Sequence, residues 1–527
     1  MLRRPMIFAL FVSLFVLMST LAPTRGQVVT PIQAEGPVDI GSRLELLVDE
    51  FLIDSTEGGV ALEMHRPTPR EVVMVYDRPW EGSGSGYHHI FKDGDLYRMY
   101  YKAWRITLDP RRGALPNFLS VAYAESDDGI TWRRPNLGLF EYEGSTDNNI
   151  VLKDIGGRPA TQLAVFRDDR AGVPDAERYK AVGKSRSPRG LAAFASPDGI
   201  HWTQINGDQP VMTGHAFDSH NLAFWDPNVG KYRAYVRDFR RSDLGARRCI
   251  RTGVSDDLVN WSERVWLRYP GAADEQLYTN NVNPYFRAPH IYVGFPARYV
   301  ERTWGESFQH LPNFDHREMR HGIRARYGTA VTDSLLMTSR DGVTFKRWPE
   351  AFLRPGARSN NWAYGDNFIG CHVVPTRGDE RGHDWELSLY ATEDYFVGDT
   401  AALRRYTLRL DGFVSMSAAA AGGTFTTRPL IFAGDELVVN FETSAAGRVV
   451  VELLDAAGRP IPGFAAADAD ELFGDETERV VSWRSGESDV SRLAGRPIRM
   501  RVTMSDADLY SFRFRDQGAS LAEVVAR

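Results

Sequence analysis

The sequence predicts an all-β protein, a five-bladed β-propeller followed by a C-terminal β-sandwich. Three observations carry that prediction. A seven-residue stretch recurs as SDDGITW (Ser126 to Trp132), SPDGIHW (Ser196 to Trp202), SDDLVNW (Ser255 to Trp261) and SRDGVTF (Ser339 to Phe345), with a worn copy at Asp411-Gly412-Phe413. The aligned aspartates at 128, 198, 257, 341 and 411 are spaced 70, 59, 84 and 70 residues apart, and each step fits one four-stranded sheet plus loops. After about residue 415 the motif stops, and strands alternate with Gly-rich turns.

The elements follow in chain order. Residues 1–26 read as a secretory signal peptide: Arg3 and Arg4, an apolar run from Ile7 to about Met18, then small residues at Thr24 and Gly26 before cleavage near Gln27. That run is short for a retained anchor, so the mature chain is expected to be secreted or periplasmic, with no membrane partner. Residues 27–415 form the propeller. LLVDEFLID (Leu46 to Asp54) precedes its first full blade and is a candidate extra strand closing the ring.

Each repeat then opens with a short apolar strand, a polar turn and an aromatic-rich alternating strand, as in YHHIFKDGDLYRMYY (from Tyr87) and HNLAFWDPNVGKYRAYVR (from His220). Asp-Gly supplies the tight turn because Gly tolerates positive φ. The aromatic three residues later starts the next strand and can pack between sheets. The motif is therefore structural. Residues 416–527 form the sandwich, an accessory module.

Composition is that of a globular protein, 43% hydrophobic and 25% charged, with aromatics at 12%. Aromatics at that level suit sheet packing and also sugar stacking. Without residues 1–26 the chain carries 60 basic and 69 acidic residues, a net charge of −9. That balance argues against a nucleic-acid partner and leaves carbohydrates open. The two cysteines, Cys249 and Cys371, could pair in an exported protein if they met. No Cys/His cluster has the sequence spacing of a zinc site. Two basic runs, RDFRRSDLGARRCIR (Arg237 to Arg251) and RHGIRARYG (Arg320 to Gly328), are solvated loops or else anion contacts that favour an acidic glycan.

With its five units, its DG-x-x-W hairpins and its trailing sandwich, the chain resembles the five-bladed propeller glycoside hydrolases of families 32 and 43. It is more closely similar to a group of secreted bacterial propeller proteins labelled family 32/43-like, through LLVDEFLID, FDSHNLAFWDPNVGKYRAYVR, MTSRDGVTFKRWPEAFLRPG, RRYTLRLDGF and GDETERVVSW. The resemblance implies hydrolysis of a glycosidic bond in an oligo- or polysaccharide, with three carboxylates at inner-strand starts in a central funnel. It implies no cofactor, and leaves room for a structural calcium ion on the axis. The chain departs from the family pattern at two blades: Tyr87-His88-His89 and Thr161-Gln162 stand where aspartates are expected.

The remaining carboxylates supply the candidates. Two carboxyls must flank the anomeric carbon, one kept protonated. Glu275 is the candidate general acid and Asp218 the base or nucleophile, with Asp366 in reserve. Otherwise Asp218 caps a turn with Ser219 and Glu275 is solvated. His88, His89, His220, Asn221, Tyr278 and Asn280 are candidate substrate contacts at strand starts; His88 and His89 must face opposite ways. Asp49, in a strand-like segment, either touches substrate or pairs with an arginine. His88, Asp218, His220 and Glu275 could hold a divalent ion if they converged. Two other outcomes stay open: a non-catalytic carbohydrate-binding propeller, and a polysaccharide lyase or glycoside phosphorylase, the lyase using His88, His220 or Tyr278 as base.

Overall fold

A computed structural model describes residues 36–519, apart from 110, 112, 243–244, 312, 359–360 and 379–383. The expected signal segment, residues 1–26, lies outside the described residues. Among those described, no helix is long and apolar enough to cross a membrane.

The described chain is almost entirely strand. Five antiparallel four-stranded sheets follow one another. The first four begin at Gly86–Asp93, Ala164–Arg167, Leu222–Asp226 and Asn283–Tyr285. The fifth begins at Val374–Arg377 and takes its outermost strand, Thr68–Val75, from the start of the chain. The starting strand of the second sheet touches those of the first and third, and that of the fifth touches that of the first. The order of sheets therefore closes on itself. Apolar clusters fill the seams, for example Phe91, Tyr100, Val165 and Phe194 between the first and second sheets.

The recurring motif explains this closure. Ser126 Oγ accepts from Gly129 N at 2.9 Å, and Asp128 Oδ1 accepts from Ile130 N and Thr131 N, both at 2.7 Å. The same bonds recur at Asp198 and Asp341. Gly129 has φ 76°, a conformation a side chain would strain. The turn so built presents a carbonyl to a tyrosine of the preceding sheet. Tyr100 donates to Gly199 O at 2.9 Å, Tyr235 to Gly342 O at 2.8 Å, and Tyr390 of the fifth sheet to Gly129 O of the first at 2.6 Å. The motif aromatic packs on the same tyrosine, as Trp132 does on Tyr390 with ring centroids 6.0 Å apart. Replacing Asp128 with Ala removes the acceptor of two exposed backbone N–H groups, so a loss of about 0.5–1.5 kcal/mol is expected by chemical denaturation. A change under a few tenths would mean that water replaces the carboxylate.

The C-terminal part draws strands from both ends of the chain. It is one eight-stranded sheet whose long, bulged strands Val414–Thr427, Glu436–Asp455 and Ile498–Arg515 are joined by Val38–Gly41, Glu45–Leu46 and Ile53–Met64. Its core, with Phe441, Val451, Trp483 and Phe512, takes Val38, Ile40 and Val60 from the N-terminal segment. Residues 416–527 thus do not build it alone, and the ring-closing strand is 68–75 rather than LLVDEFLID. A periodicity read along the chain cannot show pairing between strands more than 320 residues apart. The LLVDEFLID segment packs where the two parts meet: Leu46 and Val48 join Leu336, Phe413 and Val414 in one cluster. Cys249 and Cys371 are both free thiols.

Candidate functional site

The starting segments of the first, third and fourth sheets lie against one another. His88, His89, His220, Asn221 and Asn280 are all buried there. His88 Nε2 bonds the Tyr76 hydroxyl, while His89 turns the other way, its ring 4.5 Å from that of His220. Asn221 spans its own turn, donating to Phe217 O at 3.1 Å and Ser219 O at 2.8 Å and accepting from Arg237 N at 2.9 Å. Asn280 donates to His220 O at 3.2 Å. Both asparagines hold backbone through their amide N–H groups, and Asn280 Oδ1 is left without a partner.

The candidate carboxylates do not form an acid/base pair. Glu275 is not free to act as general acid: Arg298 Nη1 holds Oε1 and Arg347 Nη2 holds Oε2, each at 2.9 Å. Asp366 is fully buried, its carboxyl bonded to Ala363 N at 3.0 Å and Tyr395 N at 2.7 Å, and burial drives its pKa well up. It fastens a loop. Asp49 pairs with Arg340, Nε to Oδ2 at 2.9 Å, beside Glu45 and far along the chain from the inner-strand starts. Asp218 alone is half exposed, and it is ion-paired to Arg237. Lone residues carried these expectations, and the arginines that neutralise them come from elsewhere in the chain.

What gathers instead is a layer of aromatic rings under a set of cations. Tyr87, Tyr278, Tyr364, Phe368, Tyr395 and Phe396 pack as one cluster. The Tyr278 and Tyr364 hydroxyls are hydrogen-bonded to each other. Both basic runs end on these rings. Arg237 and Arg248 lie 5.2 and 5.6 Å from the Tyr278 centroid, and Arg326 lies 5.6 Å from that of Tyr364. Arg326 belongs to a helical insertion, Phe314–Ile323 and Ala325–Thr329, between paired strands after the fourth sheet's second strand. Arg237 Nε and Nη1, Arg248 Nε, Arg320 Nε and Nη2, and Arg326 Nε have no hydrogen-bond partner.

Lys102 completes the set. Only 3% exposed, it donates to the Tyr395 hydroxyl at 3.0 Å and lies 4.5 Å from the Tyr87 and Trp104 ring centroids. Burial without a carboxylate lowers its pKa to about 7. Sequence reasoning missed it, because a lysine inside an alternating strand reads as solvent-facing.

The calcium ion allowed by the resemblance does not fit the axis. Calcium takes roughly six to eight oxygens. The inner-strand starts offer imidazoles, a thiol and two unpartnered amide oxygens, those of Asn280 and Asn281. The quartet His88, Asp218, His220 and Glu275 fails too, since arginines hold both of its carboxylates.

No family model matches the chain, and no curated protein matches it. Among solved structures it is similar to the catalytic domain of a Coprinopsis cinerea GH62 α-L-arabinofuranosidase, at 10% identity and TM-score 0.39, covering 66% of this chain and 99% of that one. It is similar to a Schwanniomyces occidentalis fructofuranosidase complexed with fructosylnystose, at 12% identity and TM-score 0.34, covering 85% and 96%. It is also similar to an N-acetylgalactosamine deacetylase from F. plautii in complex with blood group B trisaccharide, at 13% identity and TM-score 0.35, covering 71% and 95%.

Proposed function

We propose that the five sheets are the blades of a propeller, that the eight-stranded unit is its β-sandwich partner, and that the exported chain cleaves glycosidic bonds in an acidic glycan. The single observation that supports this most is the meeting of two basic runs, some 80 residues apart, on one tyrosine layer with guanidinium N–H groups unpartnered. Buried donors without acceptors cost stability. A uronate or sulfate would satisfy them, and a sugar face would stack on the rings.

The same residues favour elimination over a two-carboxylate hydrolysis. In elimination beside a uronate, arginine neutralises the carboxylate, a base removes the C5 proton, and an acid protonates the departing O4 as the C4–O4 bond breaks and C4=C5 forms. Lys102, near neutrality, suits the base, and the Tyr278–Tyr364 hydroxyl pair suits the acid. Hydrolysis is the second reading, supported by Asp218, a half-exposed carboxylate beside Arg237.

The test is the mature chain from Gln27 on uronate-containing and sulfated polysaccharides, read in two channels. Reducing ends with the ultraviolet absorbance of an unsaturated uronate mean elimination. Reducing ends alone mean hydrolysis. Binding without release in either channel would sink the enzymatic reading. Arg237→Gln is expected to raise KM for the acidic substrate roughly tenfold, the loss of about one charge-assisted hydrogen bond. An unchanged KM would remove Arg237 from the anion site.

A further inference from the structure

A second cluster on the ring axis belongs to neither reading of the cleavage chemistry. His89 starts the inner strand of the first sheet, His220 precedes that of the third, and Cys371 and His372 precede that of the fifth. One donor atom from each of His89, Cys371 and His372 lies within 4.8 Å of the others. His220 joins them through its contact with His89, and the His89 and His372 rings are 6.0 Å apart. His89 and His220 are each 1% exposed, yet neither ring nitrogen of His89 nor Nε2 of His220 has a hydrogen bond of acceptable geometry. The Val165 backbone and the Asn281 amide act weakly on His89 and His220 respectively.

A buried histidine serving only the core makes hydrogen bonds; two adjacent ones with orphaned nitrogens want an electrophile. The backbone fixes the donors in place: Cys371 N donates to His88 O at 2.8 Å and Ile90 N to Cys371 O at 3.2 Å. Asn283 Nδ2 already donates to Cys371 Sγ at 2.9 Å, a hydrogen bond that would support a thiolate.

We infer that His89, His372 and Cys371, with His220 as fourth donor, form a site for a transition-metal ion of borderline softness such as Zn(II). Three imidazoles and one thiolate match that ion and not calcium. Donors around a tetrahedral zinc stand roughly 3.3–3.8 Å apart, so His89, Cys371 and His372 draw in from within 4.8 Å of one another, and His220, outside that trio, turns towards the ion from beside His89. Binding replaces the Cys371 S–H bond by a metal–sulfur bond and releases the proton to solvent. The ion would pin the first, third and fifth sheets together at the axis.

The experiment uses the full mature chain, stripped with a chelator and titrated with Co(II) as the spectroscopic probe. The expected result is saturation at one equivalent, with visible bands of a tetrahedral ion and a near-ultraviolet thiolate-to-cobalt band. Zn(II) bleaches both and raises the melting temperature. Cys371→Ser removes the thiolate band while Cys249→Ser keeps it. His372→Gln, at the least buried of the four positions, weakens Co(II) binding at least tenfold with the circular dichroism unchanged. No saturable Co(II) binding, a thiolate band that survives Cys371→Ser, or displacement of Co(II) by Ca(II) at equal concentration would each overturn the inference.

Discussion

Replacing Asp411 with Ala should cost about 3–5 kcal/mol, the largest single-residue loss expected outside the apolar cores. Asp411 is fully buried where the ring meets the eight-stranded sheet. Its carboxylate accepts from Tyr285 Oη at 2.7 Å, Arg287 Nη1 at 2.8 Å and Ser511 Oγ at 2.8 Å. Tyr285 and Arg287 belong to the fourth sheet's inner hairpin, and Ser511 to the last long strand. Removing the carboxylate strands the equally buried Arg287 cation. Two neutral replacements, Asp411→Asn with Arg287→Met, should recover part of the loss, because the charge desolvation penalty disappears and Asn tolerates the φ of 62° at this position. Chemical denaturation of the two single variants and the double variant checks this. A single-variant loss below about 1 kcal/mol would show that solvent reaches the junction.

Lys102→Met should lower kcat about 10²- to 10⁴-fold on whichever acidic glycan is cleaved, the range for loss of a general base. The sign with pH follows from the direction of its shift. Burial lowers the pKa from 10.5 to about 7, so the amine is charged below neutrality and free above it. The wild-type rate should rise through pH 7, and the variant should lose that limb. The groups facing Lys102 do not supply an alternative limb there. Burial raises the pKa values of Tyr87 and Tyr395 and lowers those of His88 and His220 to about 3, so none of them titrates near neutrality. A limb that persists in Lys102→Met would assign the base elsewhere, and unaltered activity would remove the lysine from the chemistry.

The repeat was legible because its chemistry is local. Ser126, Asp128 and Gly129 bond within four residues, and each copy announces itself. The five four-stranded units and the polarity of their starting segments follow from short stretches. The fate of the carboxylates was not legible. Glu275 is neutralised by Arg298 and Arg347, and Asp49 by Arg340, almost 300 residues away. The Asp411 copy of the hairpin looks merely worn, yet its side chain has been given to the junction. Lys102 sits in an ordinary strand alternation, and only the rings of Tyr87, Trp104 and Tyr395 around it reveal its setting.

Thr68–Val75 completes the fifth sheet by pairing with Ala402–Arg409. During synthesis at about 5–20 residues per second, its partner leaves the ribosome roughly 15–70 s later. For that interval a β-prone segment with Val72 and Val73 has no native neighbour. Its own residues guard it: Pro67 and Pro69 interrupt hydrogen bonding, and Arg70 and Glu71 place charges on the waiting edge. Nascent chains arrested before residue 402 should therefore leave this strand open to protease and to chaperone capture, while the first sheets are already protected. An early segment of the polypeptide thus waits for a late one, and the fifth sheet stays open along one edge until both are made.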